Sequence, residues 1–200
     1  MWWKNMEPNP VGWVSAGDAG LPRKAVLKLI IVGDGGVGKT TMIHRFLTGD
    51  YLDQRMTVGS GFATRDVELD GIIFTLAIWD FAGEERFRFL MPHYCKGALG
   101  CILAYDLTRP ITFFHLDDWL SLVRDNTTNI PILLVGTKLD VAPPQQPEVY
   151  EYAETHALEG YLQTSSKDGI NINETFEMIS QLMWNRLTTS LPQTANTWIT

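Results

Sequence analysis

Apolar runs and amphipathic stretches alternate along most of the chain. Strand-like apolar runs lie at residues 26–32, 72–79, 99–105 and 130–135. Stretches whose apolar residues recur with helical spacing lie at 39–48, 111–124 and 148–158. Strands that alternate with helices in this way predict repeated strand–helix–strand units, and therefore an α/β fold around a parallel sheet.

Three further segments complete the predicted sheet and its covering helices. Segment 62–69 meets 72–79 across Asp70-Gly71, a pair typical of two-residue hairpin turns, so one edge strand is predicted to be antiparallel. Residues 161–163 predict a last short strand. Residues 173–187 predict a closing amphipathic helix, whose predicted inward residues are Phe176, Ile179, Leu182 and Met183.

The two ends of the chain lack these periods. Residues 1–24 carry Trp2, Trp3 and Trp13 among Pro, Gly and Asn and are predicted to be an irregular extension, while 188–200 is a polar tail. The chain has 200 residues, of which 45% are hydrophobic and 20% charged, enough for one sizeable core. Residues 25–187 are therefore predicted to form a single domain.

Charge and cysteine content narrow the class of protein. A net charge of −7 argues against a broad nucleic-acid-binding surface and against attraction to anionic lipid, since both need clustered Lys and Arg. Cys95 and Cys101 do not form a CxxC pair, so we interpret them as free thiols of a reducing compartment and expect a cytoplasmic protein. No apolar stretch reaches the length of a membrane span.

The stretch GDGGVGKTT, at residues 33–41, follows the first apolar run directly. It fits the phosphate-binding P-loop, in which glycines let consecutive backbone N–H groups converge on phosphate oxygens at a helix N-terminus. A strand before it and a helix after it favour this interpretation over a plain glycine-rich turn. Lys39 is predicted to contact the β- and γ-phosphates, Thr40 to bind Mg²⁺, and the Thr41 N–H to face the α-phosphate. The other predicted contacts are Gly33, Asp34, Gly35, Gly36, Val37 and Gly38.

Two tetrapeptides at the ends of later strands predict which base is bound. They are Thr137-Lys138-Leu139-Asp140 and Thr164-Ser165-Ser166-Lys167. A carboxylate such as Asp140 can accept two parallel hydrogen bonds from N1–H and N2–H₂ of guanine, whereas adenine offers no such pair. The Lys138 stem can cover one face of the base, and the Ser166 N–H can donate to O6. Each tetrapeptide alone could be a solvated turn, but together with a P-loop they predict bound GTP or GDP rather than ATP.

With these motifs the chain resembles the Ras superfamily of small GTPases, and most closely its Rab branch, over about residues 26–187. The resemblance also rests on WDFAGEERF at 79–87, YCKGA at 94–98 and YDLT at 105–108. It implies a three-layer P-loop NTPase fold, with a six-stranded, mostly parallel sheet, one antiparallel edge strand and about five helices. It further implies effectors, an exchange factor and an activating protein as partners.

The family acts as a switch, in which the γ-phosphate holds two loops that hydrolysis releases. Carried over by position, Thr57 would give Mg²⁺ a hydroxyl and the γ-phosphate an N–H. Asp80 would hold Mg²⁺ through water, and the Gly83 N–H would bind the γ-phosphate. Tyr51 would pack on the guanine edge. The residues also admit other roles: a loop threonine, a turn-capping aspartate and a packing aromatic.

Glu84 stands where the family has a glutamine that orients the attacking water. One interpretation makes Glu84 a catalytic residue beside Lys39 and Gly83, with slow turnover. The other makes it an exposed charge that favours a helix N-terminus, in which case the chain would bind guanine nucleotide without turning it over.

Other departures from the family pattern concern the switch loops. Thr137 replaces an asparagine common in the family, which predicts a weaker base contact. Arg55 replaces an aromatic in a segment one residue shorter than usual, and is interpreted as a solvated arginine rather than one that reaches the phosphates. Gly61 replaces an acidic residue, which predicts altered effector choice. Phe81 replaces a threonine and is predicted to be an exposed aromatic beside the second switch.

The route to a membrane also departs from the Rab pattern. No cysteine follows Cys101, and residue 2 is Trp rather than the Gly that myristoylation needs, so no lipid anchor is expected by those routes. Trp2, Trp3 and Trp13 could enter a bilayer interface, but the few basic residues nearby favour packing on the domain or on a partner.

Overall fold

The computed structural model describes residues 25–52, 60–69, 72–81, 83, 85–142 and 148–190. Several sequence predictions lie outside these residues. They are the predictions for the aromatic head at 1–24, Arg55, Thr57, the Asp70-Gly71 turn and Glu84.

The described residues form one six-stranded sheet with the order β2-β3-β1-β4-β5-β6. Its strands are β1 (Ala25–Val32), β2 (Ser60–Leu69), β3 (Ile72–Phe81), β4 (Gly100–Asp106), β5 (Ile132–Thr137) and β6 (Gly160–Gln163). Edge strand β2 pairs antiparallel with β3, and the other neighbouring pairs are parallel. The predicted α/β fold, with a mostly parallel sheet and one antiparallel edge strand, is confirmed.

Helices cover both faces of the sheet. They are α1 (Lys39–Thr48), α2 (Met91–Cys95), α3 (Pro110–Phe114), α4 (Leu116–Asp125), α5 (Glu148–Thr155) and α6 (Ile172–Ser190). Because a single residue separates α3 from α4, the described segments amount to about five helical units, as predicted. The 3₁₀ turn Glu85–Leu90 and the short helix α2 were not predicted, since a segment this short shows no full amphipathic period.

A hydrophobic cluster lies on each face of the sheet. On the face covered by α1 and α6, the rings of Phe46 and Phe176 stack with centroids 3.9 Å apart. On the opposite face, Trp119 of α4 is fully buried. Strands β4 and β5 are buried along their whole length, which explains their unbroken apolar runs. In α6, three predicted inward residues are fully buried and Leu182 is half-buried.

The prediction that Phe81 is exposed is wrong. Its side chain is 2% exposed and contacts the rings of Tyr94 and Trp119 edge-on, with centroids 4.9 and 6.1 Å away. Phe81 is the last residue of β3, and its ring enters the cluster between the sheet and helices α2 and α4. The aromatic ring at this position is therefore part of the hydrophobic core and does not lie on the surface.

Both cysteines are free, as predicted, and both are buried. Burial raises the pKa of the Cys95 thiol to about 11 and raises the pKa of the Cys101 thiol well above its ordinary value. Among the helices that the structure describes, none combines the length and apolarity needed to cross a bilayer.

Candidate nucleotide-binding site

The predicted site residues converge at the carboxyl edge of the sheet. Parallel strands end at the same edge, and an open α/β sheet places its ligand there. Five strand ends contribute: the segment 33–38 after β1, Asp80 in β3, 106–109 after β4, 137–140 after β5 and 164–167 after β6.

The turn between β1 and α1 can be built only with glycine at its first position. A Cβ atom on Gly33, where φ is 140°, would lie 2.0 Å from the Ala104 carbonyl oxygen of neighbouring strand β4. Gly36 and Gly38 also have positive φ, 71° and 98°. Helix α1 begins at Lys39 with neither a side-chain cap nor an acidic residue in its first turn. Its N-terminal N–H groups are therefore suited to an anion.

Lys39 is buried inside this turn. Its ammonium donates to the carbonyl oxygens of Gly33 and Asp34, at 2.8 and 2.7 Å. Burial lowers the pKa of Lys39 to about 8, although the carboxylates of Asp80 and Asp34 act in the opposite direction. The loop thus surrounds a buried cation, which a phosphate group would stabilise.

The Asp34 side chain binds protein groups on α4 and at its N-terminus. Oδ2 lies 2.7 Å from His115 Nδ1, and Oδ1 accepts a hydrogen bond from Trp119 Nε1 at 2.8 Å. These contacts fix the loop to the second hydrophobic cluster. They also leave the backbone of Asp34, rather than its carboxylate, as the group suited to a nucleotide.

Thr137 and Lys138, the first two residues of the base tetrapeptide at the end of β5, contact the P-loop. The Thr137 hydroxyl lies within hydrogen-bond distance of the carbonyls of Val37 and of Tyr105, the latter at 2.9 Å. The Lys138 ammonium donates to the Gly36 carbonyl at 3.0 Å and to Asp106 Oδ2 at 2.7 Å. Both side chains were predicted to serve the base, and the structure adds a connection to the phosphate loop.

Asp106, at the end of β4, is a residue that our sequence reasoning missed. It is fully buried. One oxygen accepts hydrogen bonds from the Thr108 N–H and hydroxyl, at 2.9 and 2.6 Å, and the other accepts from Arg109 Nε at 2.8 Å and from Lys138. Burial by itself would raise the pKa of Asp106, but the bonds from Lys138, Thr108 and Arg109 lower it overall. The available signal was an acid at the end of an apolar strand followed by Thr and Arg.

The two predicted base tetrapeptides lie side by side. The Ser165 hydroxyl donates to Asp140 Oδ1 at 2.8 Å, and the Leu139 N–H donates to the Thr164 carbonyl at 3.0 Å. Ser165 is buried, Ser166 is half-buried and Lys167 is exposed. Asp140 therefore has one oxygen oriented by Ser165, which leaves lone pairs of the carboxylate available to a ligand.

Thr40 and Asp80 form a pair suited to Mg²⁺. The Thr40 hydroxyl donates to Asp80 Oδ2, while Asp80 Oδ1 is buried and has no hydrogen-bond partner within the described residues. Burial raises the pKa of Asp80, and the Thr40 bond and the Lys39 charge offset this in part. An unpartnered buried carboxylate oxygen is costly, and a carboxylate beside a hydroxyl fits an oxygen-preferring cation.

A metal bound to this pair would need further ligands from the nucleotide or from water. Among the residues described, no group of three or more His, Cys, Asp or Glu side chains lies together. Mg²⁺ is commonly held by one or two protein ligands together with substrate phosphates and waters.

Of the remaining predicted residues, two glycines pack closely against site residues. A Cβ atom on Gly83 would lie 2.1 Å from the Gly33 carbonyl oxygen, so the Gly83 backbone packs directly against the P-loop. A Cβ atom on Gly61 would lie 3.3 Å from Asp80 Cβ, so a larger residue there would crowd the carboxylate. Thr41 is half-buried in the first turn of α1, and Tyr51 is 45% exposed. Thr57 and Glu84 fall outside the described ranges, and their roles stay predictions.

Comparisons with known proteins identify the family of this fold and sequence. The model of the Ras family matches residues 28–185, a span that contains the site. The chain is 36% identical over 159 residues to Ras-related protein RABA2a of Arabidopsis thaliana, covering 77% of this chain and 73% of that protein. It is 37% identical over 163 residues to Ras-related protein RIC2 of Oryza sativa subsp. japonica, covering 78% and 75%. It is 36% identical over 159 residues to Ras-related protein YPTC6 of Chlamydomonas reinhardtii, covering 77% and 73%.

Proposed function

The chain belongs to the Ras family, in its Rab branch of GTP-binding small GTPases, and from this premise we propose that it is a slow GTP-hydrolysing switch that holds its nucleotide with Mg²⁺. The proposal rests on two groups at the same edge of the sheet: a buried lysine in the phosphate-binding loop and an oriented carboxylate in the first base tetrapeptide. Lys39 supplies the first and Asp140 the second.

Asp140 selects guanine. The Ser165 hydroxyl donates to Oδ1 of Asp140 and accepts a hydrogen bond from the Asp168 N–H at 3.0 Å. Because the Ser165 oxygen already accepts from Asp168, its proton is directed toward Asp140. The other lone pairs of the Asp140 carboxylate then remain for the base. N1–H and N2–H₂ of guanine then each donate to a charged acceptor, the stronger class of hydrogen bond.

The P-loop binds the phosphates through its backbone and through Lys39. The hydrogen bonds described for the Lys39 ammonium go to neutral loop carbonyls, and a diphosphate would give it charged oxygens as partners. Thr40 and Asp80 would hold Mg²⁺, together with Thr57, and the bound metal would neutralise negative charge on the phosphates. Thr40 is the second residue of α1.

Hydrolysis is assigned to Glu84, with Lys39 and Gly83 contacting the γ-phosphoryl group. A glutamate can accept a hydrogen bond or proton from the attacking water but, once ionised, cannot donate to the phosphoryl group. We therefore expect intrinsic turnover in the range of roughly 10⁻⁴ to 10⁻² s⁻¹, as for GTPases acting alone. The same residue favours the second candidate, a guanine-nucleotide-binding module without turnover, if its charge stays in solvent.

Effectors and regulators read the segments around Thr57 and from Asp80 to Phe87. Strand β2, which follows the first of these segments in the sequence, carries an exposed aromatic residue at the edge of the sheet. Phe62 of β2 is 62% exposed and packs edge-on against Trp79 of β3, with ring centroids 5.3 Å apart. Exposed aromatic residues of this kind are enriched where proteins bind one another.

Identification of the bound nucleotide tests the guanine-binding part. We expect GDP or GTP in the acid extract of the purified full chain, resolved by ion-exchange chromatography. In a displacement titration with a fluorescent GDP analogue, GTP should compete at concentrations several orders of magnitude below ATP. Equal competition by ATP and GTP would contradict the proposal.

Single-turnover hydrolysis tests the catalytic part. Wild type, Glu84→Gln and Glu84→Ala are loaded with GTP and followed across a pH series, with Glu151→Ala, an exposed glutamate on α5, as the matched control. Glu84→Ala should lower the rate, whereas Glu151→Ala should not change it. If Glu84→Ala equals wild type at every pH, Glu84 has no catalytic part and the module without turnover is favoured.

A further inference from the structure

Three consecutive carbonyl groups of the P-loop are each bound from outside the loop by a side chain. The Gly35 carbonyl accepts from Arg109 Nη2 at 3.1 Å, and the Gly36 carbonyl accepts from Lys138 Nζ at 3.0 Å. The Val37 carbonyl accepts from the Thr137 hydroxyl. The donors follow or end two neighbouring strands, β4 and β5.

Peptide geometry connects these outer bonds to the inner side of the loop. In a planar trans peptide, the C=O and the N–H of the same unit point in opposite directions. A carbonyl fixed outward by a side chain therefore directs the following N–H inward. The three N–H groups that this orients belong to Gly36, Val37 and Gly38, and converging N–H groups are what a P-loop offers to phosphate. A donor on the carbonyl also polarises the unit and strengthens its N–H as a donor.

Arg109 is held in place by a buried carboxylate. Its Nε donates to Asp106 Oδ2 at 2.8 Å while Nη2 reaches the loop, so one planar guanidinium bridges a fixed anion and the Gly35 carbonyl. A Cβ atom on Gly36 would lie 3.7 Å from the same Nη2, which places the guanidinium against the loop. Its positive charge acts against that of Lys39 and contributes to the lowered pKa of the lysine.

We propose that Arg109 is a positioning residue of the phosphate-binding loop, which orients the loop N–H groups toward the diphosphate and slows nucleotide release. The inference rests on the proposed guanine-nucleotide binding. It gives a role to a residue that neither the phosphate motif nor the base motifs contain.

The backbone of Arg109 has a separate, structural task. Its carbonyl accepts from the Thr112 N–H at 3.0 Å and from the Thr112 hydroxyl at 2.7 Å, at the start of α3. Truncation of the side chain leaves these bonds in place. It also leaves Asp106 paired with Lys138 and Thr108. Arg109→Ala should therefore fold, and its effect should be confined to the loop.

The test compares nucleotides that differ in the phosphate held by the loop. Wild type, Arg109→Ala and Arg109→Lys are loaded with a fluorescent GDP analogue and Mg²⁺, and release is followed after addition of excess GDP. Affinities for GDP and GMP are then measured by competition. Arg109→Ala should release the analogue about tenfold faster and bind GDP about tenfold more weakly, because the loop N–H groups are then oriented less firmly toward the diphosphate and the hydrogen bonds that they donate are weakened. GMP lacks the β-phosphate, so its affinity should change less than about twofold.

A control and a conservative variant separate positioning from general destabilisation. Arg124→Ala removes an arginine at the end of α4 that donates to the His156 carbonyl, and it should behave like wild type. Arg109→Lys should give an intermediate rate, because one ammonium replaces two nitrogens that bond different partners. A release rate for Arg109→Ala within twofold of wild type, or equal weakening of GDP and GMP, would overturn the inference. Failure of wild type to bind GDP would instead contradict the proposed function.

Discussion

Replacement of Asp140 by asparagine should change which base the protein prefers. The structure determines how the amide would sit. Ser165 accepts from the Asp168 N–H and donates to Asp140 Oδ1. The oxygen of an asparagine amide would keep the Ser165 bond, and its NH₂ group would face the base. The amide oxygen can still accept from N1–H of guanine, but the NH₂ group then faces N2–H₂, a donor against a donor, whereas xanthine has a carbonyl oxygen at C2 that can accept from the amide.

The size of the change follows from the hydrogen bonds that are lost. Each bond to the charged carboxylate is worth about 1.5–3 kcal/mol. The bond from N2–H₂ is lost and the bond from N1–H becomes a neutral one worth about 1 kcal/mol, so the cost is about 2–5 kcal/mol, or about 1.5 to 3.5 orders of magnitude in GDP affinity. Affinity for xanthosine diphosphate should rise in the same variant, so the ratio of the two affinities reverses.

The assay is a displacement titration of a fluorescent nucleotide by GDP, xanthosine diphosphate and ADP. Ser165→Ala is the matched control: it frees the orientation of the carboxylate but leaves its charge, so GDP affinity should fall by about tenfold without a reversal of preference. Combined with Asp140→Asn, Ser165→Ala should reduce the reversal, because the amide can then rotate. If Asp140→Asn still prefers GDP to xanthosine diphosphate, Asp140 does not contact the base as proposed.

Three further predictions concern the loop and its supports. Gly33→Ala should lower the free energy of unfolding in urea by about 2–6 kcal/mol, through backbone strain and overpacking. Gly49 is the control, because its φ is also positive but nothing lies within 4 Å of its Cβ. Gly49→Ala should lower the free energy of unfolding by about 1 kcal/mol. EDTA should accelerate GDP release from wild type by removing Mg²⁺, but it should not change GDP release from Asp80→Ala. Equal acceleration of both proteins by EDTA would contradict the Mg²⁺ assignment. The pKa of Asp106 is lowered from its ordinary value of 3.8, so its ionised form stabilises the fold above that pH, and this stability is lost as the pH falls through the folded-state pKa. Asp106→Asn should be less stable than wild type at pH 7 and should lose less stability between pH 7 and pH 3, as measured by chemical unfolding.

The fold could be predicted from the sequence because the patterns that specify it are local. Strands β4 and β5 are buried on both faces and read as unbroken apolar runs, while α1 and α6 show helical periodicity. The turn Glu85–Leu90 and helix α2 carry no such pattern and were missed. Phe81 was placed outside because it was read beside a switch loop, and the sequence alone does not show that the ring can reach Trp119, which lies 38 positions later.

In the candidate site too, some residues could be predicted from local motifs, and others could not because their partners are distant in the sequence. Lys39 and Asp140 could be proposed from motifs, because the chemistry of phosphate and guanine restricts the residue types at fixed spacing. The partners of Asp34 and Asp106 could not, since His115 lies 81 positions from Asp34 and Lys138 lies 32 positions from Asp106. Only the packing of the sheet brings these side chains together.

The replacement of the family asparagine by Thr137 has a different meaning once the loop contacts are known. A hydroxyl has a single proton, yet the Thr137 hydroxyl lies within bonding distance of two carbonyl groups, those of Val37 and Tyr105. It can donate to one of them at a time, whereas an asparagine amide carries two N–H donors. The Val37 carbonyl therefore shares its single donor with the Tyr105 carbonyl, whereas the carbonyls of Gly35 and Gly36 accept from Arg109 and Lys138, each of which has several N–H donors. Both of these cations also contact the same buried carboxylate, Asp106, so the end of β4 supports the phosphate loop together with the base motif.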